Sequence, residues 1–366
     1  MSEEIQTIII DNGSNMIKAG FGGDDDPKCI IPSFVGKPKY KHGFNQKDLY
    51  VGQEVMEKIG VLIVEYPIKN GIITDWEKME KVWNFVFEEL KINPSEHPVL
   101  LSEAPSVSKA NREKMIQMMF ETFNVPSFYS GAQADLSVIA SGNLTGICVD
   151  IGDNVKQIVP VYEGHYIPKF SYTDQIAGNS ITKYFLKLLE ENGVNVPSFN
   201  IEIIREIKEK LSFVAPNLDE ELQMSKDKEP ISYSLPDGSD ISITNEHFRC
   251  NEILFNPSLI DSSFGGINDK INDVLLDIDR DLRNAFASNI VVSGGVSITN
   301  GFIERFENEF KKQPRRNVKI TALPDRKYQV WKGGSILSFT SAFKDMLVSR
   351  KEYNEAGAQI VIRKCL

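Results

Sequence analysis

The sequence predicts an α/β protein built in two halves, and three observations carry that expectation. Short apolar runs alternate with amphipathic stretches along most of the chain, the pattern of strands followed by helices. The chain has 366 residues, more than one hydrophobic core usually fills, so two large domains are expected. One pattern also occurs twice, at Ile8-Ile9-Ile10-Asp11-Asn12-Gly13-Ser14 and at Ile147-Cys148-Val149-Asp150-Ile151-Gly152-Asp153. In each copy an apolar strand ends in Asp-x-Gly, a tight turn, and a polar residue then opens a second extended segment. Each copy reads as a strand-turn-strand hairpin.

Between the two hairpins the clearest helix runs from about Trp76 to Leu90, where Trp76, Met79, Val82, Trp83, Val86, Phe87 and Leu90 recur at intervals of three and four. Thr74 and Glu77 have the spacing of a capping box at its start. Further helices are expected near 109–123, 179–191, 201–214, 268–287, 300–312 and 334–348. Residues 37–47 are basic, broken by Pro38 and Gly43, and without helical period, so they read as an exposed loop. Leu235-Pro236-Asp237-Gly238 reads as a turn between two strands, and the charge-dense stretch between Pro216 and Pro230 as solvent-facing. No low-complexity linker separates the halves, so the chain is expected to cross between them more than once.

Composition narrows the class of protein. Hydrophobic residues make up 41% and charged residues 25%, an ordinary globular balance that needs no disulfides. The four cysteines (Cys29, Cys148, Cys250, Cys365) form no CxxC pair and the four histidines are dispersed, which argues against structural zinc and for a reducing compartment, cytosol or nucleus. Neither a signal peptide nor a membrane span is expected. A formal charge of −10 argues against general nucleic-acid binding, although an acidic surface such as Glu3, Glu4 and Asp24 to Asp26 suits a basic protein partner.

The duplicated hairpin carries the chemistry. A turn of this kind aims consecutive backbone N–H groups into one concavity, which suits an anion, and an Asp at the strand end is placed to reach a hydrated cation. Two such turns facing each other would clamp a metal-bound polyphosphate. Lys18, four residues past Ser14, would add a point charge there; as a solvated lysine it would do nothing. Ile290-Val291-Val292-Ser293-Gly294-Gly295 is an apolar strand ending in a glycine pair, which permits close approach of backbone to a nucleotide, though a simple strand-to-helix turn looks the same. Ala177-Gly178 before a helix is a similar signal.

Read in order with their neighbours, these pieces resemble actin. The resemblance rests on Asp11 to Asp25, on Glu96-His-Pro-Val-Leu-Leu-Ser-Glu-Ala-Pro105, Asn111 to Met115 and Phe120 to Asn124, on Asp325 to Trp331 with Gly333-Gly-Ser-Ile-Leu337, and on Arg363-Lys-Cys365. It spans essentially the whole chain, apart from a few short deletions. It implies the fold shared by actin, sugar kinases and the seventy-kilodalton heat-shock chaperones, two α/β halves around a nucleotide cleft. It implies four subdomains: residues 1–32, 67–140 and 329–366; residues 33–66; residues 141–176 and 263–328; and residues 177–262. ATP or ADP with Mg2+ or Ca2+ is the implied ligand. Carried over position by position, Gly13, Ser14, Asn15, Met16 and Lys18 would contact the phosphates from one side, and Gly152, Asp153 and Asn154 from the other. Asp11 and Asp150 would hold the metal through its waters, and Gln133 would orient the attacking water. Gly178, Arg205, Lys208, Glu209, Gly294, Gly295, Val296, Ile298 and Lys327 fall on nucleoside-contacting positions. Arg205 to Lys210 reads equally as a charged helix face.

Departures from the actin pattern set how far function transfers. Gln157 stands where the family has a histidine beside the attacking water, and Ile151 and Asn154 replace a serine and a glycine in the second turn. Loss of one preorganised donor can cost roughly 100-fold in rate, so hydrolysis slower than that of conventional actin is expected. Asn70 stands where most actins carry a methylated histidine, and Thr299 where a tyrosine covers the adenine. The DNase-binding loop, around Tyr40 to Asn45, is about three residues short, and the hydrophobic plug corresponds to Leu259-Ile260-Asp261-Ser262, only half apolar. In the cleft that receives regulators, Ile336, Leu337 and Met346 stay apolar, whereas Lys332 and Thr340 are polar and Leu347 replaces a tryptophan. Two functions follow from the resemblance: a cytoskeletal, filament-forming protein with slow ATP hydrolysis, or a mostly monomeric subunit of a larger chromatin-remodelling or motor complex in which ATP is chiefly structural. Phosphotransfer to sugar or acetate on the same fold is disfavoured, because the chain follows actin outside the nucleotide site as well.

Overall fold

In the computed structural model the described residues are 5–40, 47–194, 201–235, 238–312 and 318–365. Their contacts divide the chain into two compact units: residues 1–148, 159–169 and 328–366, and residues 149–158 and 170–327.

The first unit is organised by a six-stranded mixed sheet. Its strands lie in the order Val348–Ser349, Ser127–Ala132, Val99–Glu103, Ile8–Asn12, Met16–Phe21 and Cys29–Pro32. Ile8–Asn12 is parallel to Val99–Glu103 and antiparallel to Met16–Phe21. All five of its residues are buried, as its apolar run requires of a central strand covered on both faces. The Trp76–Glu89 helix buries Met79, Val82, Trp83, Val86 and Phe87, the predicted apolar stripe. Its cap is not the predicted one. Asp75 accepts the Lys78 N–H, while the Thr74 hydroxyl donates to the Pro67 carbonyl. An Asp side chain three residues before a free N–H serves the helix end directly, so Thr74 is left to fasten the preceding turn.

Residues 37–47 are not loop throughout. Val35–Pro38 is a strand paired with Leu62–Glu65: Val35 enters the main core, and Gly36 lies against Leu62 and Val55 of a small cluster that also holds Phe34 and Tyr50. Residues 41–46, where the shortened DNase-binding loop was expected, lie outside the described residues. Asn70 and Gly71, with φ of 52° and 76°, make the two-residue turn joining Ile68–Lys69 to Ile72–Ile73. The helix expected over 334–348 starts earlier and breaks: Gln329–Ser338 is followed by the short Phe343–Met346.

The second unit holds strands Tyr172–Asp174, the start of Lys156–Tyr162, the end of Gly146–Ile151, Ile290–Ser293 and Ile320–Thr321, in that order. Helices Gly178–Glu191, Ile201–Leu211, Ile267–Asp277 and Phe302–Lys311 accompany them. The single helix expected over 268–287 is two. Ile278 is extended, and the Arg283 guanidinium folds back onto the carbonyls of Ile278 and Leu276, ending the first helix before Arg283–Ala287 begins. Strands Ile231–Ser234 and Asp240–Ile243 flank the expected turn at Leu235 to Gly238, of which Pro236 and Asp237 lie outside the described residues. The charged stretch between Pro216 and Pro230 carries the helix Leu218–Ser225, which has no buried residue. Glu252 and Arg305 form a buried two-bond pair, at 2.8 and 3.0 Å, that ties the Phe302–Lys311 helix to the segment before it.

Candidate functional site: two phosphate-type turns

In the first unit the predicted hairpin forms between Ile8–Asn12 and Met16–Phe21, with Asp11 opposite Lys18. Directly opposed residues on antiparallel strands lie side by side, and Lys18 Nζ is 3.0 Å from Asp11 Oδ2. The other Asp11 oxygen accepts from Ser102 Oγ at 2.8 Å, and Ser102 in turn accepts the Asn12 N–H at 2.9 Å. Gln133, the first residue of the Gln133–Ala140 helix, donates to the Asn12 carbonyl at 3.3 Å and reaches Ser102 Oγ at 3.5 Å. Trp83 donates from its indole to Asn12 Oδ1 at 3.1 Å. Asp11, Lys18 and Gln133 therefore meet at one place.

The turn needs its glycine. A Cβ on Gly13 would stand 2.3 Å from the Met16 carbonyl oxygen and 3.2 Å from Lys18 Nζ. Ser14, Asn15 and Met16 are half-buried around it, and the Asn15 carbonyl accepts the Ser33 N–H at 2.9 Å. Each carboxylate oxygen has two lone pairs, so Asp11 keeps acceptor capacity for a metal-bound water beyond Ser102 and Lys18.

In the second unit the repeated turn, Gly152 to Val155, closes with the Gly152 N–H on the Val155 carbonyl at 3.0 Å. Asp150 is half-buried at the strand end before it. The Gly178–Glu191 helix begins on this turn: Gly178 N–H donates to the Gly152 carbonyl at 3.1 Å and Asn179 N–H to the Asp153 carbonyl at 2.7 Å. Arg205 lies between carboxylates, 2.5 Å from Glu202 and 3.5 Å from Asp153. Lys208 Nζ donates to the Gly178 carbonyl at 3.2 Å and to Thr182 Oγ1 at 3.0 Å. Burial pushes its ammonium below the ordinary lysine range, with Glu209 and Asp153 pulling the other way. Glu209 itself is exposed, as is Lys327. So Arg205 and Lys208 are built into the site, not spread along a solvated face.

Gly294 has φ of 93°, and a Cβ there would lie 2.4 Å from the Ile151 carbonyl oxygen. Only glycine lets the Ile290–Ser293 strand turn against the second hairpin. A Cβ on Gly295, by contrast, would meet nothing within 4 Å, so its backbone faces open space. Val296 is half-buried and Ile298 exposed in the short helix that follows. Arg326 fastens this segment, donating to the Ser297 carbonyl from Nε at 3.2 Å and from Nη2 at 2.6 Å. Gln157 is 1% exposed, and its Nε2 has no acceptor in the protein.

Ser102 and Arg326 are the residues sequence reasoning missed. Each lies inside a stretch that matches actin, and no local signal at either position foretells the side-chain bonds it makes.

These residues fit a polyphosphate with a divalent cation. Each unit by itself has the chemistry of an anion site: the first holds a turn that excludes a Cβ, with Lys18 and a strand-end carboxylate beside it, and the second holds two buried cations and an amide donor without an acceptor. Among the described residues no group of three or more His, Cys, Asp or Glu could hold a metal ion. No helix among them is long and apolar enough to cross a membrane. The family model for actin matches residues 2–203 and 200–366. With the repeated hairpin, mixed α/β architecture and glycine-lined turns in place along that length, the chain belongs to the actin family.

Proposed function

We propose that this chain binds an adenine nucleotide with Mg2+ or Ca2+, hydrolyses ATP slowly, and assembles into cytoskeletal filaments. The observation that carries the nucleotide reading is the set of cations at the two repeated turns: Lys18 at the Gly13 turn, which leaves no room for a Cβ, and Arg205 and Lys208 at the Gly152 turn, on which the Gly178–Glu191 helix begins. The Gly13 turn would meet phosphate through Lys18 and the backbone donors of Ser14, Asn15 and Met16, and the Gly152 turn through those of Asp153 and Asn154. A bound cation would offset the charge of the phosphates. Gln133, held by the Asn12 carbonyl and Ser102, would present its amide to the attacking water, and Asp11 and Asp150 would orient waters on the cation. Gly178, Arg205, Lys208, Glu209, Gly294, Gly295, Val296, Ile298 and Lys327 would contact the nucleoside. The four subdomain boundaries drawn from the sequence belong to this proposal.

The test is thermal unfolding of the purified chain with and without Mg-ATP. A ligand at a thousand times its dissociation constant adds about 4 kcal/mol, so a rise of several degrees is expected. An unchanged transition at millimolar ATP would end the reading. A second reading, a monomeric subunit of a larger complex, draws on Asp261, which is exposed with φ of 55° inside the segment matching the plug. Sedimentation with Mg-ATP over a concentration series separates the two: filaments pellet above a critical concentration, and the subunit does not. Regulators would dock near Ile336, which is exposed, and Leu337 and Met346, which are half-buried.

A further inference from the structure

Lys156 and Asp174 form an ion pair of 3.0 Å with both side chains completely buried. Two charges taken fully out of water seldom gain stability over apolar residues of the same size. Stability alone is therefore a poor account of this pair.

Its place in the fold gives a better one. Lys156 is the first residue after the second turn, and Asp174 lies opposite it, in register, on the Tyr172–Asp174 strand. Asp174 Oδ1 also accepts the Ile176 N–H at 2.8 Å, in the segment that leads into the Gly178–Glu191 helix. Two residues further on, the Gly178 and Asn179 N–H groups bind the carbonyls of Gly152 and Asp153. The pair thus closes a ring that runs from the turn through Lys156, Asp174 and Ile176 to the helix start and back to the turn. Side chains alternate along a strand, so the next residue, Gln157, points to the opposite face, where its buried Nε2 has no acceptor. The groups facing the pair are Tyr172 on its own strand and Lys270 on the Ile267–Asp277 helix.

We infer that Lys156 and Asp174 are positioning residues for the second phosphate turn: together they fix the start of the Gly178–Glu191 helix on Gly152 and Asp153 and set the strand from which Gln157 reaches its ligand. This rests on the nucleotide reading for its ligand, but the positioning itself is a property of the protein alone.

The experiment uses the full chain and two double variants that leave no lone buried charge. Lys156→Met with Asp174→Leu removes both the pair and the acceptor of the Ile176 N–H. Lys156→Met with Asp174→Asn removes the pair and keeps that acceptor. Amide hydrogen exchange is followed across residues 174–182 without nucleotide, together with dissociation of a fluorescent ATP analogue and the unfolding midpoint. The Met/Leu variant is expected to keep its midpoint within a few degrees, to lose protection at Gly178 and Asn179, and to release the analogue about tenfold faster, the lower end of what loss of outer support costs a bound ligand. The Met/Asn variant is expected to fall between it and the wild type. Wild-type protection and release in both variants would overturn the inference and leave nucleotide binding intact. Failure of the wild type to bind the analogue would overturn nucleotide binding, and the exchange data would then decide the positioning alone. Should the Met/Leu variant not fold, unchanged exchange and release in the Met/Asn variant would overturn the inference.

Discussion

At the scale of single residues, Gly294 and Gly295 separate what the fold needs from what a ligand needs. Gly294→Ala would force a Cβ to 2.4 Å from a backbone oxygen at a φ of 93°, and should destabilise the chain by about 1–3 kcal/mol, read as a lowered midpoint in denaturant. Gly295→Ala meets nothing within 4 Å and should unfold like the wild type. If its backbone lies against a nucleotide, the same variant should bind a fluorescent ATP analogue more weakly; equal binding would remove Gly295 from the site. Gln157 offers a second test. Its amide is buried and lacks an acceptor, and replacement by the histidine found in the family should raise single-turnover phosphate release roughly 100-fold or less, since one preorganised group is being restored. An unchanged rate would place the deficit at Ile151, which has no hydroxyl to offer.

At the scale of elements, the sequence revealed strands and helices where one periodic signal dominated, and less where a side chain decided. The Trp76–Glu89 stripe was readable because five buried residues recur at helical spacing. Its cap was misread because Thr74 and Asp75 both have capping chemistry, and only geometry shows which oxygen meets the Lys78 N–H. The break at Ile278 was hidden for the same reason: Arg283 makes it from a distance, through two carbonyls. In the first turn, Asp11 and Gly13 are visible in a repeated motif and Lys18 just beyond it, whereas Ser102 acts across 91 residues and carries no motif of its own. Elements also gather charge that no pattern announces. Glu103 at the end of the Val99–Glu103 strand lies 2.5 Å from Arg112, which donates to the Tyr166 hydroxyl. Asp135 lies on the Gln133–Ala140 helix, near Glu103, Arg112 and Tyr129. Burial pushes Glu103 up to about 7 and Asp135 up to about 8. A carboxyl whose pKa is higher in the folded state binds its proton more tightly there, so its favourable contribution is complete below the ordinary carboxylate range and is lost as pH rises to about 8. The chain should therefore lose stability between pH 5 and pH 8.5 in denaturant titrations. Asp135→Asn should flatten that slope by at least about 1 kcal/mol, one pKa unit's worth. A slope equal to the wild type's would show that Asp135 titrates normally.

At the scale of the whole molecule, membership of the actin family settles the chain's ancestry and leaves assembly to be decided by surfaces. A helical polymer repeats one heterologous contact at every subunit, so a change of 1.4 kcal/mol in that contact shifts the critical concentration about tenfold. Asp261 is the residue on which this turns. It sits just after the short helix Pro257–Ile260, next to Leu259 and Ile260, so the segment offers an apolar pair and then a charge. If the segment is buried between subunits, the charge opposes assembly, because an unpaired carboxylate resists leaving water. The substitution has to respect the backbone. At φ of 55° a leucine would add strain of its own, whereas asparagine tolerates the left-handed region and removes only the charge. Asp261→Asn should therefore lower the critical concentration severalfold in Mg-ATP pelleting and leave the unfolding midpoint of the monomer unchanged. A lower critical concentration would place this segment in the polymer contact. Equal values for the two proteins would place it outside.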